Sequence, residues 1–398
     1  MADAPREAWI TGIGIVSALG EGPDAHWQRL REPPNTADTT KFAPYVVHPI
    51  VPIDFDQQIP KKGDQRQMEP WQRIGTYAAG LALASAGAKG DTELLGRMDL
   101  VVAAGGGERD FAVDGAILSG MRTAENPGRF LNERLMGDLR PTLFLAQLSN
   151  LLAGNISIVH GVTGSSRTFM GEEAAGIDAV RIGLSRIGAG QSDIVLVGGA
   201  HNGERKDLLL LYEAGGHALK GGFAPVWERE ALGGGMALGT LGAFLVLEAP
   251  RHAQARGAKP IARLTHVASD RSRREDGSVT ASLARMWDEI APRLTPDGLA
   301  VISGASGAES ATRDEREFLR KVAKVPARAT GTLLGHGLEA QFAMNVALAA
   351  LAVSRGSLFA PGSTAEVEAP MTAPLRQAVV TGVGHWRGEG LALIEAAP

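Results

Sequence analysis

Short apolar runs alternate with amphipathic helical patterns along most of this 398-residue chain. Residues 9–16, 99–103 and 242–248 are apolar runs of strand length. Residues 173–187 carry apolar side chains at the three- and four-residue spacing of a core-facing helix. Strands that alternate with helices form largely parallel sheets covered on both faces. The pattern therefore predicts an α/β fold.

The strand–helix series occurs twice. The first series ends near residue 250, and residues 250–260 are predicted to form a surface crossover. A second series follows, with strands predicted at 264–268 and 299–302. This division predicts two duplicated α/β halves, residues 1–250 and 251–398, and a chain of this length has room for two such units.

Three further segments of the first half are distinctive. Pro70 suits the first turn of a helix that we predict to run to about residue 86. Residues 108–140 form a charged excursion, and residues 141–153 again have a helical pattern. The excursion therefore separates two predicted helical stretches of the first half.

Cysteine is absent from the chain. Its absence excludes disulfides, thiolate metal sites and every mechanism with a cysteine nucleophile. The formal net charge of −4 gives no reason to expect a nucleic-acid surface, which needs concentrated basic residues. The nine histidines include no pair at metal-ligand spacing, and no complete phosphate-binding or dinucleotide-binding glycine motif is present. We therefore expect neither a metal nor a cofactor.

Membrane and export signals are also missing. No stretch approaches the roughly 20 uninterrupted apolar residues that span a bilayer. Residues 1–8 are polar and lack the apolar core of a signal peptide. The sequence therefore predicts a cytoplasmic location and no membrane association.

Six segments follow one another in an order that is typical of a single family. They are residues 9–20 (WITGIGIVSALG), 149–154 (SNLLAG), 161–176 (GVTGSSRTFMGEEAAG), 193–200 (DIVLVGGA), 238–258, and 335–356, which opens with GHGL. Through these segments the chain resembles the β-ketoacyl-[acyl-carrier-protein] synthases, or ketosynthases, over nearly its whole length. The resemblance implies a thiolase-like fold, in which duplicated α/β halves form a layered αβαβα sandwich.

The resemblance also shows where the chain departs from the family. It places Glu173 at the cysteine nucleophile, Ser303 at the first active-site histidine, and His336 at the second histidine, which is retained. Gly331 replaces a family lysine, and His385 replaces the phenylalanine that gates the acyl tunnel. In the family, the thiolate accepts the acyl group at the N-terminus of a buried helix. The resemblance therefore implies a chain that does not condense acyl groups by itself.

Three of these positions allow a structural interpretation beside the functional one. Glu173 suits the first turn of a helix even without a functional role. His336 is interpreted as an inherited core histidine or as a catalytic group, and Ser303 as a loop former or a nucleophile. Because a buried carboxylate needs a partner, we expect Glu173 to lie within about 6 Å of His336.

Three residues are candidates for the tunnel or its gate. These are His385, Trp386 and Phe169, which either seal or only fill the former acyl tunnel. The basic run at residues 271–274 is interpreted either as a contact for an acidic carrier protein or as a solvated surface.

The function that the resemblance favours is that of a chain-length factor, the cysteine-less half of a ketosynthase heterodimer. We expect a non-condensing, chain-length-shaping subunit in very-long-chain or otherwise specialised fatty-acid biosynthesis. The alternatives are a chain-length factor for a polyketide or polyene, and a thioester enzyme of changed chemistry, such as a malonyl-carrier-protein decarboxylase or an enzyme with Glu173 as general base.

The expected partners are an acyl carrier protein and a cysteine-bearing ketosynthase subunit, with a homodimer when the chain is alone. In the family, the strand after the nucleophile helix is expected to pair across a two-fold axis, and residues 193–200 match that strand. An unpaired apolar strand promotes aggregation, so a partner is expected to cover it.

Overall fold

The computed structural model describes residues 7–108, 110–138 and 147–398 of the chain. The strands of these residues are β1 (Ala8–Ser17), β2 (Gly20–Glu21), β3 (Val47–His48), β4 (Asp99–Ala104), β5 (Ser166–Met170), β6 (Ile194–His201), β7 (Leu238–Gly239), β8 (Leu241–Glu248), β9 (Ala262–Asp270), β10 (Leu299–Ser303), β11 (Ala327–Ala329), β12 (Gln377–Val383) and β13 (Glu389–Ala396).

The α-helices of the described residues are α1 (Gly22–Arg31), α2 (Lys62–Gln67), α3 (Pro70–Ser85), α4 (Thr92–Arg97), α5 (Phe111–Met121), α6 (Pro127–Asp138), α7 (Leu151–His160), α8 (Glu173–Gly188), α9 (Lys206–Ala214), α10 (Pro250–Ala255), α11 (Ser278–Ile290), α12 (Glu309–Phe318), α13 (Gly331–Leu334) and α14 (Gln341–Ser354). Pro70 opens α3, where its missing N–H is harmless. Short 3₁₀ turns lie at residues 226–232, 338–340 and 366–368.

Ten of the strands form two sets of five with the same arrangement. The first set has the order β5-β4-β6-β8-β1, and the second has the order β11-β10-β12-β13-β9. In the first set, β5, β4 and β6 run parallel, and β8 pairs antiparallel with β6 and β1. In the second set, β11, β10 and β12 run parallel, and β13 pairs antiparallel with β12 and β9. Three residues of β1 pair with β9 and join the two sets. The duplicated α/β architecture is therefore confirmed.

The two sets of strands enclose a central layer of helices. Alternate side chains of each strand point to opposite faces. Val195 and Val197 of β6 belong to the same core as α8, α14 and the inward residues of β10, β12 and β13. Leu196, between them, packs instead against α3 and α7. A third core lies between the second set of strands and α11 and α12. Three cores between five layers give the predicted αβαβα sandwich.

The edge strand of the first set differs from the expectation. The strand expected to need a partner, residues 193–200, is observed as β6, which is hydrogen-bonded to β4 on one side and β8 on the other. That expectation is wrong, because β6 is interior. The edge is β5, which precedes α8 and, among the described residues, pairs only with β4. The side chains of β5 are exposed or half-buried.

Other predicted segments differ less from the observed helices. The segment 108–140 contains α5 and α6, which the sequence analysis did not predict. Of the helix predicted at 141–153, residues 141–146 lie outside the described residues, and α7 begins only at Leu151. The crossover at 250–260 contains α10. The division into residues 1–250 and 251–398 is kept as our proposal for the two halves.

None of the helices in the described parts of the chain has the length and apolar character that a membrane crossing requires.

Candidate functional site

Glu173 is the first residue of α8, directly after the turn that follows β5. Only 4% of its surface is exposed. The 3₁₀ turn at 338–340 lies so close to α8 that a Cβ added to Gly176 would come within 2.4 Å of the Glu339 carbonyl oxygen. This close approach brings the residues around His336 to the start of α8.

Two histidines hold the Glu173 carboxylate. His336 Nε2 lies 2.8 Å from Glu173 Oε1, and His385 Nδ1 lies 3.0 Å from the same oxygen. The backbone N–H of His385 donates a third hydrogen bond to this oxygen at 3.2 Å. A carboxylate can only accept, so each ring nitrogen that faces it donates. The predicted approach of Glu173 and His336 is confirmed, and His385 is an additional partner.

The charges of this cluster follow from its contacts. Burial opposes ionisation of Glu173, but the hydrogen bonds and positive charge of His336 and His385 outweigh it and hold the pKa of Glu173 well below its ordinary value. Burial alone would lower the pKa of His385, but its hydrogen bond and charge interaction with Glu173 raise that pKa above its ordinary value of 6.5. Glu173 and His385 therefore favour each other's charged forms.

A buried ion pair positions His385. The residue follows β12 in a turn closed by a hydrogen bond from the Gly384 N–H to the Gly388 carbonyl oxygen at 2.8 Å. Arg274 donates to the Gly384 carbonyl oxygen at 2.6 Å and forms an ion pair with the fully buried Glu389. Arg274, from the basic run at 271–274, is therefore turned inward.

Ser303 lies in a separate cluster. Its Oγ donates to Glu315 Oε1 at 2.7 Å, and Thr381 Oγ1 donates to the same oxygen at 2.5 Å. Glu315 is fully buried, and its Oε2 has no hydrogen-bond partner among the described residues. Burial raises the pKa of Glu315, and the two hydroxyl hydrogen bonds only partly oppose this effect. The structure thus joins Ser303 to Glu315 instead of His336.

Sequence reasoning missed Glu315 and the neighbours of His385. Glu315 falls on the apolar face of α12, four residues after Ala311 and three before Phe318, and a lone acid on such a face was the available signal. Tyr212 packs edge-on against the His385 ring, with ring centroids 5.2 Å apart. No sequence spacing connects these two residues.

The other two gate candidates have different environments. Trp386 is 65% exposed and points away from the buried cluster, although it follows His385 directly. Phe169 of β5 is half-buried and packs against the central core. The structure therefore brings only His385, of the three candidates, into contact with Glu173.

Possible metal ligands also meet here. Ligand atoms of Glu172, Glu173 and His385 lie within 4.8 Å of one another. However, Glu173 and His385 already bond each other, and Glu172 accepts a hydrogen bond from the Tyr212 hydroxyl at 3.1 Å. We assign no metal site to a cluster whose donors satisfy one another.

The space beside Glu173 is very small. A cavity of about 10 Å³ is lined by Glu173, His336, Phe342 and Thr381, among others. A cavity of this size accommodates at most one water molecule. In addition, a carboxylate whose pKa is strongly lowered is a weak base and a weak nucleophile. The arrangement therefore provides neither an acyl acceptor nor room for an acyl group at this position.

Comparisons with known proteins agree with this architecture. A family model described as the N-terminal domain of β-ketoacyl synthases matches residues 6–252. The 3-oxoacyl-[acyl-carrier-protein] synthase 2 of Vibrio cholerae is 24% identical over 269 residues, which cover 64% of this chain and 60% of the relative. The matches to two further synthases of this name likewise span 61% and 62% of those relatives.

Another relative is aligned over more of its length. The ketoacyl synthase β subunit of the tetracenomycin polyketide synthase from Streptomyces glaucescens is 26% identical over 369 residues, which cover 88% of this chain and 86% of the relative. This relative is therefore similar to both predicted halves of the chain.

Solved structures resemble the whole chain. The ishigamide ketosynthase/chain length factor aligns with a TM-score of 0.78 at 20% identity and covers 99% of this chain and 100% of its own. A type II polyketide ketosynthase solved with its acyl carrier protein aligns with a TM-score of 0.73 at 17% identity, with the same coverage. At these sequence identities, the structural similarity establishes the fold of this chain and no more.

Proposed function

Because the chain belongs to the β-ketoacyl synthase family, we propose that it is the non-condensing, chain-length-shaping partner subunit of a ketosynthase heterodimer in fatty-acid biosynthesis. The observation that carries this proposal is the state of the nucleophile position. A buried carboxylate, held by two histidines, occupies the place of a reactive thiolate. The scaffold is kept, but the acyl acceptor is not.

The exposed edge of the first sheet supports a partner subunit. In the part of the chain that the structure describes, β5 pairs with a strand on one side only, and Met170 at its end is 76% exposed. Leu210 and Leu211 on α9 are also about 60% exposed. Edge strands with apolar neighbours recruit further chains, so a partner that continues the sheet would remove this hazard. We propose β5 as the dimer edge, in place of the strand expected from the sequence.

The need for a thiolate nucleophile determines which partner gives a dimer that can condense acyl groups. A homodimer of this chain contains no thiolate, whereas a heterodimer with a cysteine-bearing ketosynthase contains one active site and one shaping subunit. An acyl carrier protein is proposed as the donor of substrate to that active site. A homodimer of the isolated chain is compatible with the same edge.

A chain-length factor of a polyketide or polyene pathway is the second candidate. It is favoured by the similarity to the Streptomyces glaucescens β subunit along most of both chains. Decarboxylation of a malonyl thioester is less well supported, because the ionised Glu173 repels the malonyl carboxylate and Ser303 is engaged by Glu315.

Co-expression with a ketosynthase that has an intact cysteine and two histidines tests the proposal. Native mass spectrometry is expected to detect a mixed dimer, and condensation activity is expected to exceed that of the ketosynthase alone. Met170→Asp, at the end of β5, is expected to abolish the mixed dimer by placing a charge in the interface.

Leu232→Asp is the matched control. Leu232 is 62% exposed and lies in the 226–232 turn, which packs against α12 in the other half of the chain. This variant is expected to retain the mixed dimer. Persistent homodimers of both proteins, with no mixed species and no gain in condensation, would contradict the proposal.

A second measurement addresses the nucleophile position. After incubation with acyl carrier protein loaded with an acyl chain, intact mass measurement is expected to detect no acyl adduct on this chain. A mixed anhydride on Glu173 would hydrolyse, because carboxylates form labile acyl adducts. A stable adduct at Glu173 would overturn the non-condensing assignment.

A further inference from the structure

A groove on the surface is lined by the segment 50–55 and by the first turns of α3. Its volume is about 370 Å³, within the range of small-molecule sites. Its apolar wall includes Ile50, Pro52, Ile53, Phe55 and Pro70. Neither the cluster around Glu173 nor strand β5 contributes a lining residue. The groove is therefore separate from both the nucleophile position and the proposed dimer edge.

One cation of this groove has no acidic partner. Arg73, in α3, lines the groove and is half-buried. Its guanidinium carbon lies 5.6 Å from the centroid of the Phe55 ring, which belongs to the same wall. Among the described residues, no carboxylate forms an ion pair with Arg73 and no acceptor bonds its guanidinium. The guanidinium is thus held at the groove with its charge unpaired.

The terminal nitrogens of Arg73 are accessible to a ligand. Nε is enclosed and has no hydrogen-bond partner, whereas Nη1 and Nη2 also lack partners in the described part of the chain but are not enclosed. A guanidinium keeps its charge in proteins, and its parallel N–H groups match the two oxygens of a carboxylate. A ligand in the groove can therefore pair with Nη1 and Nη2.

The other polar side chains of the groove already have partners. Glu204 forms an ion pair with Lys41 at 2.7 Å and accepts a hydrogen bond from the Thr240 hydroxyl at 3.2 Å. Asn202 donates to Glu108 Oε1 at 3.1 Å and accepts from the Glu204 backbone N–H at 3.1 Å. Within the described residues, the groove thus offers a ligand one unpaired positive charge and a largely apolar wall.

We propose that this groove binds a free carboxylic acid with a compact apolar body, and that Arg73 pairs with its carboxylate. One carboxylate neutralises one guanidinium, whereas a phosphate monoester would leave excess negative charge beside Glu204. An ester or thioester of the same acid has no charge, so the groove distinguishes a free acid from an acyl group on a carrier. The inference goes beyond the proposed function and does not rest on it.

Direct binding to the purified full-length chain tests the inference. The probes are two acid–amide pairs, octanoate with octanamide and 4-phenylbutanoate with 4-phenylbutanamide, and Kd is measured by calorimetry at low ionic strength. Each amide keeps the shape of its acid but has no charge. At least one acid is expected to bind about 10-fold more tightly than its amide, because hydrogen bonds between charged groups are the stronger kind.

The two pairs also distinguish an aliphatic ligand from an aromatic one, since the pair with the larger difference identifies the body that the wall accepts. Equal affinities within both pairs, or no binding of any probe, would overturn the inference.

Two substitutions of Arg73 separate its charge from its shape. Arg73→Gln removes the charge and is expected to abolish the preference for the acid. Arg73→Lys keeps the charge but loses the paired N–H groups, so the preference is expected to fall about 3-fold without disappearing. Near-UV circular dichroism shows whether each variant is folded. A full preference in folded Arg73→Gln, or an undiminished one in folded Arg73→Lys, contradicts the assignment.

Arg251→Gln is the matched control. Arg251 is exposed and does not line the groove, but its replacement changes the net charge by the same amount. The preference for the acid is expected to be unchanged, and a loss there would assign the effect to net charge and overturn the inference. Dimer formation with a ketosynthase is measured separately by native mass spectrometry. A mixed dimer without a preference for the acid refutes only this inference.

Discussion

Two buried glutamates in this chain have opposite electrostatic environments. Glu173, at the start of α8, is surrounded by two histidines and one backbone N–H, and its pKa lies well below the ordinary value. The described residues give Glu315, on α12, only hydroxyl and backbone donors, and its pKa lies above the ordinary value. Both are buried, so burial alone does not set the charge of a carboxyl group.

The difference shows how each buried carboxyl group is stabilised. Groups that can carry positive charge make the ionised form of Glu173 the favourable one, whereas hydroxyl dipoles cannot offset the burial of Glu315. The first cluster holds a fixed anion at the start of α8. The second uses a carboxyl group whose ionised form is disfavoured by burial, and this group accepts hydrogen bonds from Ser303 and Thr381.

The largest difference is expected when the same substitution is made at both glutamates. Glu173→Gln should lower the free energy of unfolding by about 3 kcal/mol, since three hydrogen bonds lose a charged acceptor and each such bond contributes about 1 kcal/mol more than a neutral one. Glu315→Gln should cost less than about 1 kcal/mol, because an amide resembles the protonated carboxyl group. Urea unfolding followed by circular dichroism measures both.

Near-UV circular dichroism is the control for retained packing in both variants. Equal losses of stability at the two positions would show that the two carboxyl groups have the same charge, and the comparison would then fail.

Loss of one donor at each cluster should have a smaller effect. His385→Phe keeps an aromatic ring beside Tyr212 but removes the Nδ1–H donor to an ionised group, so we expect a loss of about 2 kcal/mol. Thr381→Val removes a donor to a carboxyl group whose ionised form is disfavoured by burial, and should cost about 1 kcal/mol. Midpoints of urea unfolding measure the two losses. A larger loss for Thr381→Val than for His385→Phe would contradict the charges assigned to Glu173 and Glu315.

The pH dependence should distinguish the clusters by its sign. Because the folded pKa of Glu173 is lowered, its contribution to stability is present above the ordinary pKa of 4.5 and is lost as the pH falls below it. The folded pKa of His385 is raised, so its contribution is complete below the ordinary value of 6.5 and is lost as the pH rises through the folded pKa. The cost of Glu173→Gln should therefore be greatest between these two values.

Glu315 should behave in the opposite way to Glu173. Its raised folded pKa means that its relative contribution is complete below 4.5 and declines as the pH rises, because the unfolded chain ionises first. The stability of Glu315→Gln relative to the natural chain should therefore rise as the pH rises above 4.5. Unfolding midpoints over this pH range measure the rise, and a pH-independent difference would contradict it.

The smallest effect on stability is expected for a substitution of Trp386, the residue after His385. Trp386 is 65% exposed and forms no part of the buried cluster. Trp386→Ala should change the free energy of unfolding by less than about 0.5 kcal/mol. A loss comparable to that of His385→Phe would mean that Trp386 also contributes to the buried cluster.

The sequence by itself determined the layers of this protein. Apolar runs of strand length and the stripe on α8 specify which side of each element is buried, because side-chain direction depends only on local backbone geometry. The matched motifs also placed Glu173 beside His336, since the segments that carry these residues keep their order and spacing. The layers depend on information contained within single segments, whereas the approach of Glu173 and His336 was predicted only through the resemblance to a known family.

Tertiary structure alone decided the order of the strands and the other contacts between segments. Apolar strands look alike in sequence, so the interior place of β6 and the edge place of β5 follow only from the strand order of the sheet. In the same way, Ser303 contacts Glu315 and His385 contacts Glu173 because different elements converge in the packed core. Local periodicity describes one face of an element, whereas the charge of a buried group depends on the partners that other elements bring to it.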